Sequence, residues 1–246
     1  MAPIYREKFQ LSDLHVDRYG RLKPATLLYF VQEMAGRHSD LLRVDWDTLA
    51  SHNLFWAVTR HRVQISRLPV RGETITVETW PMPTTKVAYP RSVVAYDEDG
   101  QEVFRAISIW VLVDTQTRSM VLPGKSGILV DGTVRGNELS VPRPITPSTL
   151  ANTVSRTVHY TQLDRNGHMN NTRYMDWIED LLPSEFHHQN PVREFTVCYH
   201  NEAMEGQTVN LSWNLSEEPI LLVDAYRNKE DMSTIQERVF SAKIEY

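Results

Sequence analysis

The sequence holds a single cysteine, Cys198, so no disulfide can form within the chain and a cysteine-built metal site has no second thiolate. It also lacks any apolar run near the roughly 18 residues that span a bilayer. The longest, such as Ile109-Trp110-Val111-Leu112-Val113, have strand length. Met1-Ala2-Pro3-Ile4-Tyr5-Arg6-Glu7-Lys8 has no signal-peptide core, so export is not expected and the cytoplasm is the expected location. Positive charge is not in surplus: the formal net charge is -5, which excludes general nucleic-acid binding. Residues 1–123 carry 15 basic and 14 acidic groups and residues 124–246 carry 11 and 17, so an acidic partner meets less repulsion from the first half. What remains is an ordinary globular composition, 41% hydrophobic and 23% charged over 246 residues, enough for one large domain or two small ones.

The sequence repeats itself. Val16-Asp17-Arg18-Tyr19-Gly20-Arg21-Leu22 aligns without gaps on Leu163-Asp164-Arg165-Asn166-Gly167-His168-Met169, a shift of 147. Each copy runs into helical periodicity at i, i+3, i+4, i+7, i+8: Leu27, Phe30, Val31, Met34 and Ala35, then Tyr174, Trp177, Ile178, Leu181 and Leu182. A β-type stretch around a turn glycine follows each, Val63 to Thr79 about Gly72 and Val197 to Trp213 about Gly206, now shifted by 134. The 13 residues lost between helix and hairpin map to the loop around Val44-Asp45-Trp46-Asp47. Val93 to Asp97 turns at Asp99-Gly100 into Val103 to Asp114, and is echoed by Leu221 to Tyr226, Asn228 to Asp231 and Ile235 to Ile244. Each half therefore reads as a leading strand, a long helix and several antiparallel strands. Between them Pro123, Gly124, Gly127, Gly132, Gly136, Pro142, Pro144 and Pro147 mark a linker. The expected divisions are residues 1–122, a linker over 123–149, and residues 150–246.

This α+β plan is that of the hotdog fold, an antiparallel sheet wrapped around a central helix, here as a double hotdog of two tandem copies. From Leu11 to Tyr246 the chain resembles the acyl-acyl-carrier-protein thioesterases of plant plastids and bacteria. The most specific stretch, Leu163 to Trp177, matches the family pattern Asp-x-Asn-x-His-x-Asn-Asn-x-x-Tyr-x-x-Trp. The resemblance implies hydrolysis of fatty acyl-acyl-carrier-protein to free fatty acid, with no metal or organic cofactor. An acyl-CoA thioesterase or a non-catalytic acyl-binding or regulatory protein on the same scaffold is the alternative. The expected partner is an acyl carrier protein, with no nucleic acid or membrane span and with the chain as monomer or homodimer.

Thioester hydrolysis needs a base for water and donors for the oxyanion. Asp164, Asn166 and His168 supply such groups ahead of a helix expected to begin near Asn171, capped by Asn170 or Asn171, whose free backbone N–H groups could face the oxyanion. The resemblance adds Glu202 as general base, with Asn166 and His168 holding carbonyl and water and Asp164 orienting them. Whether water or a carboxylate makes the attack stays open. Cysteine attack is disfavoured: the residue after Glu202 is Ala203, and Cys198 lies four strand residues before Glu202, about 13 Å away in an extended chain. The first copy keeps the turn but has Asp17, Tyr19 and Arg21, so it reads as a degenerate copy, and the resemblance implies that its helix and sheet bind the acyl chain. Its expected lining is Met34, Phe55, Trp56, Ile107 and Trp110, chosen for bulk and inward direction, and Asn170 and Asn171 are further substrate-binding candidates. Arg60, Arg62, Arg67 and Arg71 form a basic cluster that could dock an acidic carrier. His187-His188 read as solvated loop residues, and Gly124-Lys125-Ser126 lacks the upstream glycine of a phosphate loop.

Overall fold

A computed structural model describes residues 4–229 and 232–246. The reading made on Met1-Ala2-Pro3, and the end of the expected Asn228 to Asp231 strand, lie outside the described residues. The chain divides into two compact units, Met1–Pro142 and Arg143–Tyr246.

In the first unit β1 (Tyr5–Gln10), β2 (Leu54–Ile65), β3 (Thr74–Pro81), β4 (Tyr89–Tyr96) and β5 (Glu102–Asp114) pair antiparallel in the order β1-β3-β4-β5-β2. The two-residue strand β6 (Met120–Val121) adds to β5. Helix α1 (Pro24–Leu41) begins on a proline, whose fixed φ suits the first turn. The five residues of the expected stripe, Leu27, Phe30, Val31, Met34 and Ala35, are all buried. The Phe30 ring lies 4.6 Å from that of Phe9 on β1, and His38 stacks on Tyr5. Burying a side chain of Phe30's size contributes about 1.5–3 kcal/mol, and Phe30→Ala would cost about 3–5 kcal/mol. Short helix α2 (Trp46–Ala50) fills the expected loop, with Asp45 capping Thr48 N–H at 2.9 Å.

The layer beneath α1 is not wholly apolar. Arg91, Ser108 and His61 occupy facing positions on β4, β5 and β2. Arg91 Nη1 donates to His38 Nδ1 (3.0 Å) and Thr79 Oγ1 (3.2 Å), and His61 Nδ1 lies 2.8 Å from Ser108 Oγ. Burial first, then the charge of Arg91, pushes the His38 imidazole down to about 4; burial pushes His61 down to about 3.

The stretch expected as a linker behaves differently from a tether. After a single turn, α3 (Pro123–Ser126), it has no regular secondary structure, yet as far as Pro142 it is bound to the first sheet on the face opposite Tyr5 and Phe9. Thr133 N–H donates to Pro81 O, Arg135 pairs with buried Glu78 at 2.7 Å, and Arg105 and Arg62 donate to Asn137 O and Ser140 Oγ. Gly132 passes so close to the chain at Pro83 that a Cβ would fall 2.2 Å from its nitrogen, so no other residue fits. Gly and Pro here signal a backbone without ladder partners; side-chain donors from the sheet take that role instead.

The second unit repeats the plan. Strands β7 (Asn152–Thr157), β8 (Glu194–Tyr199), β9 (Thr208–Leu215), β10 (Ile220–Lys229) and β11 (Met232–Glu245) run β8-β11-β10-β9-β7. Gln10 faces Thr74 and Thr157 faces Thr208, the same register at shifts of 147 and 134. The chain is therefore a double hotdog. The second helix corrects the expectation: α4 (Arg173–Glu179) has seven residues, against 18 in α1. Tyr174, Trp177 and Ile178 are buried, but Leu181 and Leu182 lie past the helix end, because Pro183 disfavours helical backbone at the residue before it. A second short helix, α5 (Ser184–Gln189), follows and carries His187 and His188, which were expected on a loop; His187 Nε2 lies 2.9 Å from Glu179 O. No helix among the described residues is long and apolar enough to cross a membrane.

Candidate active site

The repeated Asp-x-x-Gly turn is built by one carboxylate. Asp164 Oδ1 accepts the N–H groups of Asn166 (2.8 Å) and His168 (3.2 Å), while Asp164 N–H donates to His168 O. Gly167 has φ +79°, a conformation that costs a residue with a Cβ about 1–2 kcal/mol. Met169 N–H then donates to Ala203 O, and His168 forms a β-bridge with Met204. This stitch brings Glu202 from the β8–β9 turn to the imidazole: His168 Nε2 lies 3.3 Å from Glu202 Oε2. The imidazole is largely buried, its side chain 10% exposed, and the carboxylate is 40% exposed.

Asp164, His168 and Glu202 are thus brought together. Asn166 is exposed in the same turn, which uses its backbone N–H and not its side-chain amide. Asn170 Oδ1 accepts from Thr172 N–H and Oγ1–H, an Asx turn ahead of the helix, and Asn171 O accepts from the Tyr199 hydroxyl. The helix starts at Arg173 with Thr172 in the cap position and no side-chain cap, so neither asparagine is the N-cap that was expected. The N–H groups of Thr172, Arg173 and Met175 are already bonded, to Asn170 Oδ1, Asn170 O and Thr172 O, and are not open to an oxyanion.

Three neighbours were not legible as site residues. Tyr174, which reads as a packing residue, is buried against Tyr199 and Phe240, and the Ala203 backbone hydrogen-bonds its hydroxyl; burial raises its pKa well above the ordinary phenol value. Arg227 on β10 donates through Nη1 to Glu202 O (2.5 Å) and to Gln207 Oε1, and Gln207 Oε1 also accepts Met204 N–H at 2.9 Å. The sequence held a signal for two of them: the repeat aligns Tyr174 with Leu27 and Gln207 with Glu73. Cys198 is 1% exposed in β8 opposite Ser241, and Ala203 is buried.

The candidate acyl-lining residues divide between two faces of one sheet. Trp56 and Trp110 pack with Leu54, Tyr89 and Leu112, whereas Ile107 packs with Ile109 and Val111. Phe55 faces Val113, which belongs with the Ile107 group, and Met34 is buried on α1. Phe55 and Ile107 therefore point away from Trp56 and Trp110, because adjacent strand residues alternate. The basic cluster is also dispersed in local pairs: Arg67 binds Glu73 (2.7 Å) and Asp97 (2.8 Å), Arg71 binds Asp13, and Arg60 donates to Pro142 O.

Comparison with known proteins places both units. Residues 3–122 match the acyl-ACP thioesterase N-terminal domain and residues 147–241 match the acyl-ACP thioesterase C-terminal domain. A chloroplastic dodecanoyl-[acyl-carrier-protein] hydrolase of Cinnamomum camphora is 25% identical over 81% of this chain and 56% of its own length. Chloroplastic acyl-[acyl-carrier-protein] hydrolase FATB2 of Cuphea viscosissima is matched over 52% of its length, so the chain spans little more than half of these relatives. Among solved structures, an acyl-ACP thioesterase from Bacteroides thetaiotaomicron superposes with TM-score 0.85 at 25% identity, covering 98% of this chain and 97% of that one. The 12:0-ACP thioesterase of Umbellularia californica gives 0.82 at 21% identity, covering 98% and 96%, a likeness of fold. The two matched domains, in order and over most of the sequence, identify the chain as a member of the acyl-ACP thioesterase family.

Proposed function

We propose that this chain hydrolyses the thioester of a fatty acyl-acyl-carrier-protein and releases the free fatty acid. Family membership supports the reaction class, and the observation that carries the reading is the contact between His168 Nε2 and Glu202 Oε2, 3.3 Å apart, on a turn built by Asp164. Glu202, partly exposed, takes a proton from water. The resulting hydroxide adds to the thioester carbonyl, and collapse of the tetrahedral adduct breaks the C–S bond; the proton held by Glu202 returns to the leaving thiolate. His168 donates to the Glu202 carboxylate and fixes its direction, while the exposed Asn166 amide is a donor for the carbonyl oxygen. Asp164 holds the turn and so orients both. Buried Cys198 is not the attacking group, and in this scheme water is. Trp56 and Trp110 are the bulky pair that would contact an acyl chain lying on their face of the first sheet.

The test is hydrolysis of a chain-length series of acyl-acyl-carrier-protein substrates by wild type and Glu202→Ala. Release of fatty acid that falls at least about 100-fold in the variant is expected for loss of a general base. Binding without release at any chain length would overturn the reading in favour of an acyl-binding protein.

A further inference from the structure

The turn that carries Glu202 is held from outside by one guanidinium. Arg227 Nη1 donates to Glu202 O at 2.5 Å and to Gln207 Oε1, so a single group grips the first and last residues of the 202–207 turn. Gln207 Oε1 passes the restraint inward by accepting Met204 N–H at 2.9 Å, and Gln207 N–H donates to Met204 O. The guanidinium is itself fixed. Glu237 faces Arg227 across the β10–β11 pair, and its Oε2 accepts from Nε at 3.3 Å and Nη2 at 3.0 Å. With its side chain only 16% exposed, Arg227 is screened far less than a surface cation.

The equivalent turn in the first unit shows what is particular here. Val70 N–H donates to Glu73 Oε1 at 2.9 Å, just as Met204 N–H does to Gln207. There the cation is Arg67, from the strand end before the turn, and it binds the carboxylates of Glu73 and Asp97. The residue aligned with Glu202 is Leu68. In the second unit the cation comes instead from a neighbouring strand and reaches the backbone of Glu202 itself.

We propose that Arg227 is a positioning residue for hydrolysis: it fixes the Glu202 backbone, and thereby the direction in which the carboxylate meets water. This rests on Glu202 acting as the base. A general base works only within hydrogen-bond reach of the proton it takes, so a small rotation at residue 202 lowers kcat while leaving substrate binding in place.

Four variants, Arg227→Ala, Arg227→Lys, Glu237→Gln and Glu202→Gln, are assayed with one acyl-acyl-carrier-protein substrate, with thermal unfolding followed in parallel. Arg227→Ala is expected to lower kcat at least tenfold with KM within twofold of wild type, and millimolar methylguanidinium is expected to restore part of the loss. Arg227→Lys and Glu237→Gln, which keep a cation near Glu202 O, are expected to lose two- to fivefold in kcat. An Arg227→Ala enzyme with wild-type kcat, or one whose loss lies in KM and does not respond to methylguanidinium, overturns the proposal. If Arg227→Ala does not fold, wild-type kcat in both milder variants overturns it equally. Glu202→Gln separates the two ideas: near-wild-type hydrolysis there defeats the general-base reading, whereas an inactive Glu202→Gln beside a fully active Arg227→Ala defeats only the role of Arg227.

Discussion

The two copies of the Asp-x-x-Gly turn share a backbone and differ in chemistry. Asp17 Oδ1 accepts Tyr19 and Arg21 N–H at 2.8 and 2.9 Å, as Asp164 Oδ1 accepts Asn166 and His168 N–H. Gly20 and Gly167 have φ of +77° and +79°. Leu22 N–H donates to Pro69 O where Met169 N–H donates to Ala203 O, and Gly72 and Gly206 N–H reach Leu11 O and Val158 O. Yet in the first copy Arg21 turns back on Asp17, 3.2 Å away, and Leu68 stands where Glu202 does. The turn thus needs one carboxylate and one residue tolerant of positive φ. The other positions differ between the copies, and only the second carries Asn166, His168 and Glu202 there, the residues proposed as donors and base.

That comparison can be broken directly. Glu202→Gln is expected to reduce hydrolysis at least about 100-fold, while Leu68→Gln leaves kcat/KM within twofold; an equal loss from both would remove the distinction between the copies. Transplanting the first copy's residue, His168→Arg, lets the new guanidinium pair with Asp164 as Arg21 does with Asp17. It should lower kcat about 10- to 100-fold, the range of a lost acid–base or positioning group, with the melting temperature preserved; a well-folded enzyme at full rate would show that the imidazole is dispensable.

The buried histidines of the first unit give an effect on stability of opposite origin. His38 and His61 have folded pKa values of about 4 and about 3, below the ordinary 6.5. Between pH 6.5 and those values the unfolded chain binds more protons, so stability is full above pH 6.5 and is lost as pH falls. At pH 5 each would contribute about 2 kcal/mol less than at pH 7. Denaturant titration at the two pH values should show the drop, and His61→Phe should shrink it; a pH-independent midpoint would contradict the burial argument. The smallest effect belongs to the glycines. A Cβ at Gly20 or Gly167 meets nothing within 4 Å, so Gly20→Ala and Gly167→Ala should each cost about 1 kcal/mol from backbone strain alone. Only Gly167→Ala should also slow hydrolysis, which initial rates beside melting curves would reveal.

Much of this was legible because the repeat is local. Asp164, Asn166 and His168 share a five-residue turn, and the shift of 147 located α1, while the strands after it recur at a shift of 134. The misreadings have physical causes. Periodicity counted Leu181 and Leu182 as helical without weighing Pro183, which ends the segment. Phe55 and Trp56 are neighbours in a strand and so cannot share a face, although both are bulky enough to line a tunnel. A sequence also does not display Glu73, Asp97 and Asp13 closing on Arg67 and Arg71, pairings that only the folded chain shows.

The sequence by itself determined the double repeat, the α+β class, the turn glycines and the carboxylate that shapes each turn, since all of these are written in short spacings and in backbone preferences. Only the tertiary structure decided that Glu202 meets His168, that Tyr174 puts its hydroxyl at Ala203, and that Arg227 grips Glu202 from β10. Those contacts join residues 25 or more positions apart, and strand register, which depends on every pairing in the sheet at once, sets which of them meet.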